Sequence, residues 1–63
     1  MTTKTLIERL AIICEKRSLH PTELYPSVKW AVKTFGVEAT ATGVVMETQR
    51  LLCQKHPEGY LVR

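Results

Sequence analysis

Chain-breaking residues divide this sequence into three stretches, and this division limits the fold more than any other feature. The breakers are Pro21, Pro26, Gly36 and Pro57. Proline is tolerated in the first turn of a helix and is costly further in, whereas glycine often ends a helix in the left-handed conformation. Because the segments between the breakers carry helical periodicity, we expect a compact all-α domain of three helices.

The first stretch has the pattern of an amphipathic helix from about residue 5 to residue 17. Thr5-Leu6-Ile7-Glu8 matches a capping box, in which Thr5 is the N-cap and Glu8 reaches back to its amide. The apolar residues recur at helical spacing and cover one broad face. They are Leu6, Ile7, Leu10, Ala11, Ile13 and Cys14.

The second stretch is expected to be helical from about residue 26 to residue 35, after a short turn at residues 21–24. Its apolar residues form an i, i+3, i+4, i+7 set, which predicts that they face the core. They are Val28, Ala31, Val32 and Phe35. Gly36 is expected to be the left-handed C-cap that ends this helix.

The third helix is expected to span about residues 40–56, with Thr40 or Thr42 as its cap. Its apolar face is wide enough to touch more than one neighbour, so we expect it to be central. That face contains Ala41, Val44, Val45, Thr48, Leu51 and Leu52, with Met46, Gln49 and Cys53 beside it. Residues 57–63 then form a tail.

The tail ends in the β-prone segment Tyr60-Leu61-Val62. A lone strand leaves its backbone polar groups unpaired unless another segment or chain pairs with it. We therefore expect a short extended or β-like tail, which Tyr60 and Leu61 could dock onto the body. The whole chain, residues 1–63, is interpreted as a single domain.

The length of 63 residues leaves little apolar surface for a core. Such a chain buries only about 60% of its unfolded surface, and small domains often add a disulfide, a metal or a second subunit. With two cysteines and no export signal, the chain is expected to be cytoplasmic and to keep its thiols reduced. Charges interrupt the only long apolar stretch, so no membrane span is expected.

Because the core is small, a homo-oligomer, most simply a dimer, is predicted.

Few residues are candidates for catalysis or metal binding. The chain has neither aspartate nor asparagine, and both cysteines are expected on core faces, where a reactive thiolate is unfavourable. The zinc-ligating residue types are Cys14, His20, Cys53 and His56. Their spacing fits no common zinc finger. We expect a protein that is not an enzyme and that uses no metal or cofactor.

Two large apolar side chains are expected to face solvent. Trp30 lies nearly opposite the core face of its helix, beside Lys29 and Lys33, and Ile12 lies among charged residues of the first helix. An exposed tryptophan flanked by cations is typical of an interface anchor. Alternatively, the third helix or the tail covers Trp30 and completes the core. The first interpretation predicts a partner-binding surface drawn from Ile12, Lys29, Trp30, Lys33, Tyr60 and Leu61.

A second functional class is favoured by residues 31–37 and the threonine-rich helix start that follows. A glycine in the turn between two helices is typical of the helix-turn-helix. The third helix would then read DNA through Glu38, Thr40, Thr42 and Gly43. This surface has no lysine or arginine, although phosphate neutralisation dominates most DNA affinity. A DNA-binding regulator is therefore the second choice after a protein-binding one.

In its length, its start at Met1-Thr2-Thr3-Lys4 and its lack of a catalytic signature, the chain resembles a broad group of phage proteins. These are the short accessory proteins encoded in the early regions of temperate, lambdoid-type phages. Such proteins are often small and helical and bind host or phage factors. The resemblance implies a regulatory protein that acts by binding.

Overall fold

Three α-helices make up most of the fold, and the computed structural model describes residues 2–61. In chain order the elements are α1 (Thr3–Arg17), a 3₁₀ turn (Pro21–Leu24), α2 (Tyr25–Phe35) and α3 (Ala41–Lys55). Residues 2–61 contain no strand, which confirms the predicted all-helical architecture. Val62, the last residue of the β-prone segment, lies outside the described residues.

Helix α1 starts at Thr3, so the predicted capping box at Thr5 and Glu8 is wrong. Thr2 is the N-cap, and its side-chain oxygen accepts a hydrogen bond of 3.1 Å from the amide of Thr5. The hydroxyls of Thr2 and Thr5 lie 2.8 Å apart. Thr5 is therefore already inside the first turn, where its amide is one of the free donors that an N-cap satisfies.

The two prolines are accommodated at the starts of two short elements. Pro21 begins the 3₁₀ turn, and Pro26 lies in the first turn of α2. The amide of His20 donates to the carboxylate of Glu23 at 2.7 Å, while the His20 ring accepts from the amide of Thr22 at 3.3 Å. Reciprocal bonds of this kind fix the entry to the turn.

Helix α2 ends at Gly36, which has φ 63° and therefore occupies the left-handed region that glycine tolerates. The predicted glycine cap is confirmed. Val37, directly after it, is buried. Thr40 then caps α3, because its hydroxyl accepts a hydrogen bond of 3.0 Å from the amide of Gly43. Of the two threonines predicted as caps, Thr40 is the one used.

Helix α3 is central, as predicted, because it contacts α1, α2 and the 3₁₀ turn. One group of buried side chains joins all three helices: Leu6, Leu10, Val28, Ala31, Val37, Val44 and Val45. A second group joins α1 to α3 near their C-terminal ends: Ala11, Cys14 and Leu52. Thr48 is the buried polar residue of α3, and its hydroxyl donates to the Val44 carbonyl at 2.8 Å.

Five residues predicted to lie on or beside the core faces are exposed instead: Ile13, Phe35, Met46, Gln49 and Cys53. Phe35 is 48% exposed because it is the last residue of α2 and its ring turns towards Trp30. The buried face of α3 is narrower than predicted, so Met46, Gln49 and Cys53 are exposed. Each lies about 100° round the helix from the buried residue that precedes it. Ile13 lies at the edge of the α1 core face and is 37% exposed.

Candidate interaction surface

Trp30 and Phe35 form an aromatic pair on the surface of α2. Trp30 is 62% exposed and Phe35 is 48% exposed. Their ring centroids are 5.8 Å apart and the rings are nearly perpendicular, at 88°. This edge-to-face arrangement is one that aromatic rings prefer, because the positive edge of one ring meets the negative face of the other. The pair therefore presents a defined apolar surface to solvent.

The packing of α2 explains why Trp30 points outward. Val28 and Ala31 are buried, and Val32 packs against them. Trp30 follows Val28 by two residues, which places it about 200° round the helix from the core contact. The interpretation that α3 or the tail covers Trp30 is wrong, because most of its side chain is accessible.

Two lysines flank the aromatic pair on the same helix. Lys29 and Lys33 are exposed, and α2 itself contains no carboxylate, since its sequence is YPSVKWAVKTF. Neither lysine forms an ion pair within residues 2–61. We call Lys29, Trp30, Lys33 and Phe35 the aromatic patch. It combines apolar surface with positive charge only.

Ile12 belongs to another surface. It is 49% exposed on α1, as its place on the outer face of the first helix predicts. However, no Cα atom of α1 lies within 8 Å of a Cα atom of α2. The structure therefore does not join Ile12 and Trp30 into one site.

Tyr60 attaches the tail to the helical body. Its hydroxyl donates to the carbonyl of Leu19 at 3.0 Å, and its ring lies 5.2 Å from that of His56. It also packs against the buried group of Ala11, Cys14 and Leu52. Leu61, by contrast, is 39% exposed. Of the two tail residues predicted as partner-binding, Tyr60 serves as a dock within the chain and Leu61 faces solvent.

A polar cluster beside Tyr60 joins the C-terminal ends of α1 and α3. One carboxylate oxygen of Glu15 lies 3.0 Å from Nε2 of His56, and the other lies 3.6 Å from the Lys55 ammonium. The hydrogen bond from His56, helped by the charge of Lys55, lowers the pKa of Glu15. Local sequence patterns do not predict this cluster, because Glu15 and His56 are about forty residues apart in the chain.

The residue types considered for zinc binding have separate environments. Cys14 is buried, and burial, together with the nearby Glu23 and Glu15 carboxylates, raises the pKa of its thiol. Cys53 is exposed and His56 binds Glu15. In the part of the chain that the structure describes, no three His, Cys, Asp or Glu residues are placed to hold a metal ion together.

A groove of about 570 Å³ runs between α1 and α3. Its apolar floor is formed by Ile7 and Leu51, which are half-buried. Its rims carry both signs of charge: the lining residues are Thr3, Lys4, Ile7, Glu8, Glu47, Arg50, Leu51 and Gln54. On the α3 rim, Arg50 lies 3.6 Å from Glu47. The groove is not predictable from periodicity, because a helical period indicates which face of a helix is apolar but not the space between two helices.

The turn between α2 and α3 has the glycine of a helix-turn-helix, but the surface after it is poor in cations. Thr40 uses its hydroxyl to cap α3. The first cation of α3 is Arg50, which is paired with Glu47. Over the described residues 2–61, no helix combines the length and the apolarity needed to cross a membrane.

No protein-family model, curated protein or solved structure matches this chain. The function is therefore inferred from the surfaces of the chain itself. They define a small helical protein with two candidate contact surfaces, the aromatic patch on α2 and the groove between α1 and α3.

Proposed function

We propose that this chain is a small, non-enzymatic accessory protein that regulates a partner protein by binding it and that also associates with itself. The aromatic patch is the surface assigned to the partner. A regulator of this kind is also what the resemblance to temperate-phage accessory proteins implies. The proposal is supported chiefly by Trp30, the single tryptophan, which is 62% exposed and lies outside both groups of buried side chains.

A small domain that leaves aromatic side chains exposed gives up the stability that their burial would provide. Fully burying a large apolar side chain contributes about 1.5–3 kcal/mol. The chain instead leaves both Trp30 and Phe35 largely accessible. Tryptophan is enriched among the few residues that dominate binding energy at interfaces. Because the two rings already hold each other in one arrangement, less ordering is needed when a partner covers them.

Self-association is supported by size and by the remaining exposed apolar residues. A 63-residue chain has a small core. Further apolar side chains are exposed outside the aromatic patch, including Ile12, Met46 and Leu61. A second subunit would remove part of this surface from water.

The assignment to a non-catalytic class is supported by the cysteines and histidines. A nucleophilic cysteine needs a lowered pKa and partial exposure, whereas Cys14 is buried and its pKa is raised. Cys53 is exposed, but no hydrogen bond within residues 2–61 pairs it with a histidine that could act as its base. His56 binds Glu15 on the outside of the helix pair. Binding, with no chemical step, is therefore what we propose.

The test of the proposed function compares Trp30→Ala with Met46→Ala. Both side chains are more than 60% exposed, but Met46 lies on α3, outside the aromatic patch. Immobilised wild-type protein and both variants are incubated with extract of the native host, and the bound proteins are identified by mass spectrometry. The Trp30→Ala variant is expected to lose a protein that wild type and Met46→Ala retain. Equal capture by all three would contradict the proposal.

Circular dichroism separates loss of binding from loss of fold. Because Trp30 is exposed and loses only its contact with Phe35, its truncation is expected to lower the free energy of unfolding by no more than about 1.5 kcal/mol. Collapse of helicity in Trp30→Ala would instead assign Trp30 to the core.

The alternative function is a helix-turn-helix-like DNA-binding regulator, which the glycine turn between α2 and α3 favours. It predicts retention on DNA with a steep salt dependence, lost when Lys29 and Lys33 are both changed to Glu. Failure to bind DNA even at low ionic strength would exclude it.

A further inference from the structure

We infer that the protein forms a two-fold symmetric dimer through the groove between α1 and α3, which leaves the aromatic patch free for a different partner protein. This inference rests on the proposed function for the self-association and adds the surface that mediates it. The two candidate surfaces differ in their charge, and charge decides which of them can pair with itself.

The aromatic patch is poorly suited to a two-fold contact. In such a contact the same patch occurs on both sides of the axis. Lys29 and Lys33 of one copy would then lie near Lys29 and Lys33 of the other. Helix α2 has no carboxylate to compensate, and like charges brought together at an interface are strongly unfavourable.

The groove is well suited to a two-fold contact, because each of its rims carries one cation and one anion. Lys4 and Glu8 line it on α1, and Glu47 and Arg50 line it on α3. In each pair the residues lie three or four apart along the helix, so they are neighbours on one face. Two half-buried apolar residues, one from each helix, lie between the rims.

A two-fold axis across the groove makes both rims complementary to themselves. It lays α1 antiparallel on α1 of the second copy, so that Lys4 of each copy faces Glu8 of the other. The same axis lays α3 on α3 and brings Glu47 opposite Arg50. Ile7 and Leu51 of both copies then face one another across the space enclosed by the four helices, where they are shielded from water.

The surface required is a small part of the molecule. A standard specific contact buries about 800 Å² on each partner. The described protein exposes 4586 Å², so one face is sufficient for the dimer. The aromatic patch, on α2, remains accessible for the partner that the proposed function requires.

Charge reversal followed by charge exchange tests this geometry. Dimerisation is measured by sedimentation equilibrium at low ionic strength for wild type, Glu8→Lys and the double variant Lys4→Glu/Glu8→Lys. The single change turns two attractive contacts per dimer into two repulsive ones and is expected to raise the dimer dissociation constant about tenfold or more. The double variant restores complementarity and is expected to return to within about threefold of wild type.

The same test is made independently on the α3 rim. Arg50→Glu is expected to weaken dimerisation, and the double variant Glu47→Arg/Arg50→Glu is expected to restore it. Glu58→Lys is the matched control, since Glu58 is exposed and does not line the groove. Trp30→Ala is expected to dimerise as wild type does. Circular dichroism on every variant shows that the helices are retained.

Three results would overturn the inference: a wild-type monomer at high micromolar concentration, unchanged dimerisation of Glu8→Lys, or no recovery in the double variants. A wild-type monomer would also contradict the self-association in the proposed function, whereas the other two results would contradict only the groove as its surface. None of the three affects capture of a partner through Trp30. Conversely, equal capture by wild type and Trp30→Ala would contradict partner binding at the aromatic patch. It would leave dimerisation through the groove unaffected. Binding of a partner through the aromatic patch and dimerisation through the groove are therefore distinguished by these measurements.

Discussion

At the scale of single residues, exposure and burial are set by where each side chain falls round its helix. Val28 is 1% exposed and Trp30 is 62% exposed, although only one residue separates them on α2. The side chain facing α3 supports the fold, and the one facing away is free to bind. Leu52 and Met46 show the same division on α3, with 0% and 63% of the residue exposed.

Leu52 is expected to be among the most sensitive positions. It is fully buried against Ala11 and Cys14. Leu52→Ala removes these contacts and leaves a cavity, which typically costs about 2–5 kcal/mol. Urea denaturation followed by circular dichroism should show a large loss of stability, whereas Met46→Ala should stay within about 0.5 kcal/mol of wild type. A Leu52→Ala protein as stable as Met46→Ala would contradict the packing described for α3.

At the scale of elements, α3 organises the molecule because both other helices and the 3₁₀ turn pack on it. Much of this is predictable from the sequence, since the breakers and the helical period indicate all three helices and the Gly36 cap. The sequence leaves the cap of α3 open between Thr40 and Thr42, and it places the start of α1 two residues too late. The exposure of Phe35, Met46 and Cys53 is not predicted, because periodicity shows which way a side chain points but not how far a neighbouring helix extends. The groove and the Glu15–His56 contact depend on residues that are distant in sequence, so local patterns do not reveal them.

The contact between the ends of α1 and α3 is expected to weaken in acid. The pKa of Glu15 is lower in the folded protein, so its contribution to stability is complete above about pH 5 and disappears as pH falls through the folded-state pKa. The unfolding midpoint of wild type should therefore fall more steeply below pH 5 than that of Glu15→Gln.

A matched control for this acid dependence is Glu38→Gln, which removes an exposed carboxylate outside the cluster. It is expected to keep the wild-type pH profile. Parallel profiles for wild type and Glu15→Gln would show that the contact with His56 and Lys55 does not stabilise the fold.

At the scale of the whole molecule, the distribution of charge separates two surfaces on one small body. The net charge is only +3, yet α2 is purely cationic outside while the groove between α1 and α3 carries both signs. Mixed charge suits pairing with an identical copy, and single-sign charge suits a partner of different composition. In the proposed arrangement, the groove holds the dimer together and the aromatic patch binds the regulated protein.

The most direct test of this account is collisional quenching of tryptophan fluorescence. Trp30 is the only tryptophan, so the emission reports on the aromatic patch alone. Acrylamide quenching is measured at concentrations where sedimentation gives monomer and where it gives dimer. We predict strong quenching, typical of an exposed indole, under both conditions. A shielded indole in the dilute protein would contradict the exposed patch, and shielding that appears with dimerisation would show that the patch is consumed by self-association.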